Sequence, residues 1–309
     1  DVAPDSWRML LGAIEQAVDD GLPMAAQVAP RPVGVLLGLE LTLNIFSAHP
    51  VFREIADLPF AEKVRRLNDP AFRARLLADA PVTDNPFLKV MLRSFGKMFQ
   101  LSDPVDYEPG PERTIEAIAA RRGVSNEEAA LDLMLENDGR GMLYLPFLNY
   151  SQGSLEPIRA MMESPASLPG LSDGGAHVGM ICDGSFTTTM LTHWGRDRLR
   201  GPKLPLEYLI HRQTQKTARW MGFNDRGLIA PGYRADLNVI DLTNLKLHLP
   251  QVQYDLPTGG RRLMQRASGY TATILAGQVT FRDGTPTGAK PGRLLRGAQA
   301  APVRAMAAE

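Results

Sequence analysis

The sequence predicts an α/β chain: helices and strands in alternation over residues 1–221, then a small, mostly β domain over 222–309. Three observations predict it. A helix is followed by a short apolar strand at the start, and the same alternation returns between Gly141 and Leu171. A long excursion with helical spacing, about 50–140, separates the two stretches. After Gly222 the texture changes to short turn-and-strand units.

Ser6 is positioned to cap a helix from Trp7 to about Asp20, with Leu10, Leu11, Ile14 and Val18 on one face. Gly21 ends it, and Met24 to Val28 reads as a strand closed by Ala29-Pro30-Arg31-Pro32. Within the excursion, Ala61 to Leu77 reads as helix. Ser125 with Glu128 opens another helix in a capping-box pattern. Gln100 to Pro111, with its prolines and acids, reads as loop. Such an excursion between strands often builds a pocket wall or lid. Gly141 to Phe147 and Ser167 to Leu171 are the next strands, spaced as consecutive βα units around a helix from Ser154 to Glu163. Phe186 to Leu191 and Leu206 to Met221 supply helices, joined by the basic loop Arg196 to Pro202. Beyond them, Tyr270 to Phe281 reads as a hairpin with Gly277 at its turn, and the tail from Arg293 has no strong pattern.

Composition bounds function loosely. Lys+Arg and Asp+Glu are 34 each, so the formal net charge is zero, unlike the basic footprint of a nucleic-acid or acidic-membrane binder. Cys182 is the single cysteine, which excludes an internal disulfide framework and a cysteine-rich zinc site. No run of eighteen apolar residues occurs, and the start carries neither a signal peptide nor an initiating methionine. The expectation is a soluble, cytoplasmic protein with a truncated front end. It acts on a small molecule, without nucleic acid or membrane, and a homo-oligomer is left open.

The densest chemistry is Ser172-Asp173-Gly174-Gly175-Ala176-His177. Asp173 stands where a buried strand opens into loop, the place where α/β proteins collect reacting groups. A carboxylate there can hold a metal or take a proton, and Gly174 and Gly175 let the backbone approach a ligand closely. By itself Asp-Gly-Gly also reads as a turn. Arg31 is either a loop arginine paired with an acid or a fork that grips a substrate carboxylate. Arg196 is a second candidate for that carboxylate. His177 either orients substrate or is a loop histidine satisfied by backbone.

Residues Gly227-Leu228-Ile229 and Pro231-Gly232-Tyr233-Arg234-Ala235-Asp236-Leu237-Asn238-Val239-Ile240-Asp241, with the preceding Thr217, Ala218, Met221 and Gly222, resemble the C-terminal signature of the amidohydrolase superfamily. Ser172 to Gly201 and Thr287 to Leu294 are similar to its N-acyl-D-amino-acid deacylase branch, the amidohydrolase-3 group. The resemblance implies the C-terminal part of a metal-dependent (β/α)8 barrel followed by a small β-sandwich. It implies one or two zinc ions, with Asp173 as metal or metal-water contact and as proton shuttle. The reaction implied is hydrolysis of an amide C–N bond, of an N-acyl-D-amino acid.

Two departures qualify the match. The His-x-His pair of the family is absent, and none of His49, His177, His193, His211 and His248 falls at its other ligand positions. The remaining metal ligands are therefore expected upstream, and the isolated chain is expected to be inactive. The alternatives are a cyclic-amide hydrolase of the dihydropyrimidinase type and a metal-free binding or assembly subunit.

Overall fold

The structure, a computed structural model, describes residues 3–170 and 177–302. The chain opens with α1 (Ser6–Asp19) and β1 (Ala26–Val28), then turns into β2 (Val33–Leu37). Asp5, not Ser6, stands at the helix N-cap, and the Ser6 hydroxyl donates to the Ala3 carbonyl at 2.9 Å. The expected apolar face of α1 is not buried: Leu10 is 58% exposed.

The excursion contains α2 (Pro50–Arg53), α3 (Phe60–Leu67), α4 (Pro70–Leu77), α5 (Pro86–Met91), the short β3 (Phe99–Gln100), α6 (Ile115–Arg122) and α7 (Asn126–Gly139). The single helix expected from Ala61 to Leu77 is two. Pro70 cannot continue α3, and the Asp69 carboxylate instead accepts from Phe72 N at 2.8 Å and starts α4. Ser125 caps α7 by accepting from Glu128 N at 3.1 Å. The Glu128 carboxylate turns away to Arg73, 3.5 Å off, so the reciprocal half of the box goes unused.

After β4 (Leu143–Leu148) come α8 (Glu156–Glu163), β5 (Ser167–Pro169) and α9 (Phe186–Thr189). A π-helical stretch, Met190–Asp197, follows. The last helices are α10 (Leu206–His211) and α11 (Thr217–Trp220). The remaining strands are β6 (Leu237–Ile240), β7 (Lys246–Leu247), β8 (Gln251–Gln253), β9 (Arg262–Met264), β10 (Ala267–Ser268), β11 (Tyr270–Leu275), β12 (Gln278–Arg282) and β13 (Thr285–Pro286).

β1 and β5 are parallel, with Val28 opposite Pro169. β4 does not join them. It is antiparallel to both β2 and β3, in the order β2-β4-β3. The expectation that Gly141 to Phe147 begins a consecutive βα unit is thus corrected: β4 returns along β2 after the excursion. The described strands form separate sheets and do not close an eight-stranded barrel. In the C-terminal region β6, β11, β12 and β13 make one antiparallel sheet. Ala276 and Gly277 carry φ of 51° and 78°, the left-handed pair a tight two-residue hairpin turn requires. The tail from Arg293 is tied back at Gln299, whose N–H donates to Gly222 O at 2.8 Å and whose carbonyl accepts from Asn224 N at 3.1 Å. No helix among the described residues is long and apolar enough to cross a membrane.

The largest core lies between the β2-β4-β3 sheet and the helices of the excursion, around Leu37, Met98, Ile115, Leu131, Leu143 and Leu145. A second core joins Val28 of β1 to Tyr150, Leu155, Ile158, Trp194 and Leu209.

The connection from α7 to β4 is tight. A Cβ on Gly141 would stand 1.9 Å from the Leu133 carbonyl oxygen. Overpacking of this kind costs about 1–3 kcal/mol. Gly141→Ala should therefore lower the melting temperature by several degrees, at roughly 2–4 °C per kcal/mol. Calorimetry showing an unchanged melt would contradict this reading of the turn.

Candidate functional site

The carboxyl ends of β1 and β5 lie side by side, and Gly170 N donates to the Val28 carbonyl at 2.9 Å. Asp173, Gly174 and Gly175 follow directly in the chain and lie outside the described residues. The groups surrounding that exit are described, and they divide into two buried charge networks and a cavity.

The first network centres on Arg31, in the turn after β1. Its Nη1 donates to Ser185 Oγ at 2.9 Å and Thr189 Oγ1 at 3.3 Å. Its Nη2 donates to the Cys182 carbonyl at 2.8 Å and to Asp183 Oδ1 at 3.0 Å. The guanidinium is stacked 3.8 Å from the Tyr107 ring centroid and 4.4 Å from that of Phe186. Arg31 is 2% exposed. Both Nη groups are spent within the protein, as a buried guanidinium needs an anion and acceptors around it, while the buried Nε has no hydrogen-bond partner among the described residues. Burial also pushes the neighbouring Cys182 thiol up to about 11, so this cysteine remains protonated at neutral pH.

This network fixes the loop that follows the strand exit. His177 takes φ of 56°, and its carbonyl accepts from Met180 N and Ile181 N, both at 2.9 Å. The His177 side chain is exposed. Val178, Gly179 and Met180 offer their carbonyls to the N–H groups of Leu263, Thr42 and Leu36 at 2.7, 3.1 and 2.8 Å. Gln265 accepts from both Ser185 Oγ and Tyr107 Oη. The loop from His177 onward is therefore held by β2 and the turn after it on one side and by the C-terminal strands on the other.

The second network centres on Glu108, which lies in the loop Gln100 to Pro111. Both of its oxygens accept from Arg198, at 3.0 Å each, and Oε1 also accepts from Leu155 N at 2.9 Å. His193 Nε2 lies 3.0 Å from Oε2. Burial acts to raise the Glu108 pKa, but the bonds from His193, Arg198 and Leu155 outweigh it and hold the group at about 2. Arg198 is fully buried and also reaches Glu156 at 2.8 Å. The reading of Arg196 to Pro202 as a plain basic loop missed this. An isolated Glu in a proline-rich stretch gives no sign that an arginine ninety residues away will cover it.

Arg200 extends the second network to a surface. Its Nη1 donates to the carbonyls of Glu108 and Pro109, both at 3.2 Å, and to Tyr150 Oη at 2.8 Å. Burial raises the Tyr150 pKa, so the hydroxyl keeps its proton and donates to Pro109 O at 2.7 Å. Tyr150 and Arg200 line a cavity of about 500 Å³ with Phe99, Leu145, Phe147 and, on α5, Phe87 and Val90. Leu145 and Pro146, which also line it, pair with Val35 and Gly34, so the cavity stands against the β2–β4 ladder. A concave, mostly apolar volume with a few fixed polar groups is the usual form of a small-molecule site.

Arg196 lines a different cavity, also about 500 Å³, with Tyr107, Thr192, His193 and Lys246. Its guanidinium is committed to Asp197 and to the backbone carbonyls of Leu242, Thr243 and Leu245. This is a clamp on the β6–β7 connection. The structure does not bring Arg31, Arg196 and His177 together on one ligand. Among the described residues no group of three or more His, Cys, Asp or Glu is arranged to hold a metal ion; Asp173, the ligand that the sequence resemblance implies, lies outside them.

A family model described as the amidohydrolase family matches residues 3–281. No curated protein matches the chain. Among solved structures, a D-aminoacylase mutant in complex with copper chloride is similar at 22% identity, over 65% of this chain and 38% of that one, with a TM-score of 0.35. An N-acyl-D-glutamate deacylase from Bordetella bronchiseptica, complexed with zinc and a phosphonate inhibitor, is similar at 22% identity, over 64% and 38%, with a TM-score of 0.32. The chain thus spans less than half the length of either.

The two networks make separate predictions. Removing one partner of a buried pair strands the other charge, at about 3–5 kcal/mol. Arg31→Ala should therefore lower stability to denaturant by that order. A variant as stable as the parent would show that Asp183 does not depend on Arg31. Because the folded pKa of Glu108 is depressed, its contribution is complete above its ordinary value of 4.5 and is lost as pH falls toward about 2. Acid titration of stability should show that loss between those limits, and Glu108→Gln should flatten it.

Proposed function

The chain belongs to the amidohydrolase family, and from that premise we propose that it takes part in hydrolysis of an amide C–N bond in an N-acyl amino acid, of the D series. The match to the family over residues 3–281 carries the reading. The cavity against the β2–β4 ladder supports it, since its apolar walls and fixed arginine suit an acyl group joined to a carboxylate.

Asp173 is the proposed proton shuttle. Its carboxylate takes a proton from the attacking water while the oxygen bonds to the amide carbonyl carbon. As the C–N bond breaks, the proton passes to the leaving nitrogen, giving a carboxylate and a free amine. A carboxylate suits both transfers because it accepts and returns a proton without changing position. Gly174 and Gly175 leave the backbone beside it free of side chains. The proposed metal is zinc, one or two ions, with Asp173 among the ligands; when bound it polarises the carbonyl. In this reading residues 1–221 carry the catalytic face and 222–309 form a β unit that closes on it through Gln265.

The test is turnover of N-acyl-D-amino acids by catalytically competent protein supplied with zinc. Asp173→Asn keeps the shape and removes the proton acceptor. It should lower kcat by roughly a hundred- to ten-thousand-fold, with the circular dichroism unchanged. Near-normal turnover in that variant would move the proton transfer to another group.

A further inference from the structure

We propose that the cavity beneath α5 is an anion-and-tail seat, in which Arg200 binds the carboxylate of an acyl amino acid and the apolar wall takes a long or aromatic apolar part. The inference deepens the amide-hydrolase reading and rests on it for the bond that reacts. Charge comes first. Among the described residues lining the cavity, Lys97 and Arg200 are cationic and none is Asp or Glu. The Glu116 carboxylate stands against Gly96 at the Lys97 edge, which leaves Arg200 as the cation at the other side of the lining. Low-dielectric walls strengthen its field.

Geometry points to Arg200 rather than Lys97 as the contact. Three acceptors fix its Nη1, while Nε and Nη2 make no hydrogen bond to any described residue. Two donors of one planar fork are therefore held in place and unspent, the arrangement a carboxylate engages side by side. The fork is ordered before the ligand arrives, so little side-chain freedom is lost on binding. Lys97 is exposed and its ammonium makes no hydrogen bond to a described residue, so it is a point charge without a fixed geometry.

The tail follows from the opposite wall. Phe87 and Val90 on α5 are 66% and 69% exposed, and they line the cavity together with Phe99, Leu145 and Phe147. Exposed apolar side chains gathered on one concavity mark a binding surface. A small polar anion would leave them wet; an anion with an apolar tail covers them.

The test compares two probes that differ only in charge, N-decanoylglycine and its neutral amide, by isothermal titration into the 309-residue chain. The anion should bind about tenfold tighter or more, the range for a hydrogen bond to a charged group. Arg200→Ala should bring the two together, and Arg200→Lys should restore part of the difference. Val90→Glu, at an exposed rim position that folding tolerates, should weaken the anion more than the amide. Equal binding of both probes by the unaltered chain would overturn the proposal. So would a preference that survives Arg200→Ala and vanishes with Lys97→Ala. Failure to hydrolyse any acyl amino acid, with the anion preference intact, would sink the amide-hydrolase reading and leave the seat standing.

Discussion

The buried pair of Arg31 and Asp183 is the constraint on which the rest of this arrangement depends. A guanidinium cannot lose its charge, so a buried one dictates what surrounds it. Here it gathers a carboxylate, a backbone carbonyl and two hydroxyls from the stretch Cys182 to Thr189, and two aromatic faces from Tyr107 and Phe186. The turn after β1, the loop after β5 and the excursion are drawn to one point. Gln265 then carries the connection to the C-terminal strands through Ser185 and Tyr107. Three parts of the chain far apart in sequence thereby fix one another around the strand exit.

Glu108 plays the matching part on the other side. Its loop is long and proline-rich, with little regular structure to hold it. Arg198, His193 and the Leu155 N–H supply what regular structure does not. The consequence reaches the surface through Arg200, whose Nη1 rests on the carbonyls of Glu108 and Pro109. A buried ion pair positions the loop, the loop positions an arginine, and the arginine faces a cavity. The binding property is thus built on a structural one.

Neither network supplies the proton-transferring group proposed for the reaction. What the described residues contribute is placement: a rigid frame at the carboxyl ends of β1 and β5, and a cationic, apolar cavity against the β2–β4 ladder. That division between scaffold and reacting group is common where loops at strand ends carry the chemistry.

By itself the sequence determined what depends on near neighbours. The hairpin β11–β12 was legible because Gly277 supplies a left-handed residue between alternating strands, and the start of α7 because Ser125 is spaced to accept from Glu128 N. Asp69 before Pro70 held the signal for a new helix, although the charge pattern of Ala61 to Leu77 reads through it. The family too was legible, in the run from Gly227 to Asp241, and the match over residues 3–281 bears it out. Tertiary structure alone decided the pairing of β4 with β2, the burial of Arg31 and the union of Glu108 with Arg198. A strand's apolar run does not say which edge it will meet, and an arginine's charge does not say whether its partner is a ligand or a distant aspartate. Those choices are settled by desolvation: once Arg31 and Glu108 are covered, only partners brought in from remote segments keep the charges tolerable.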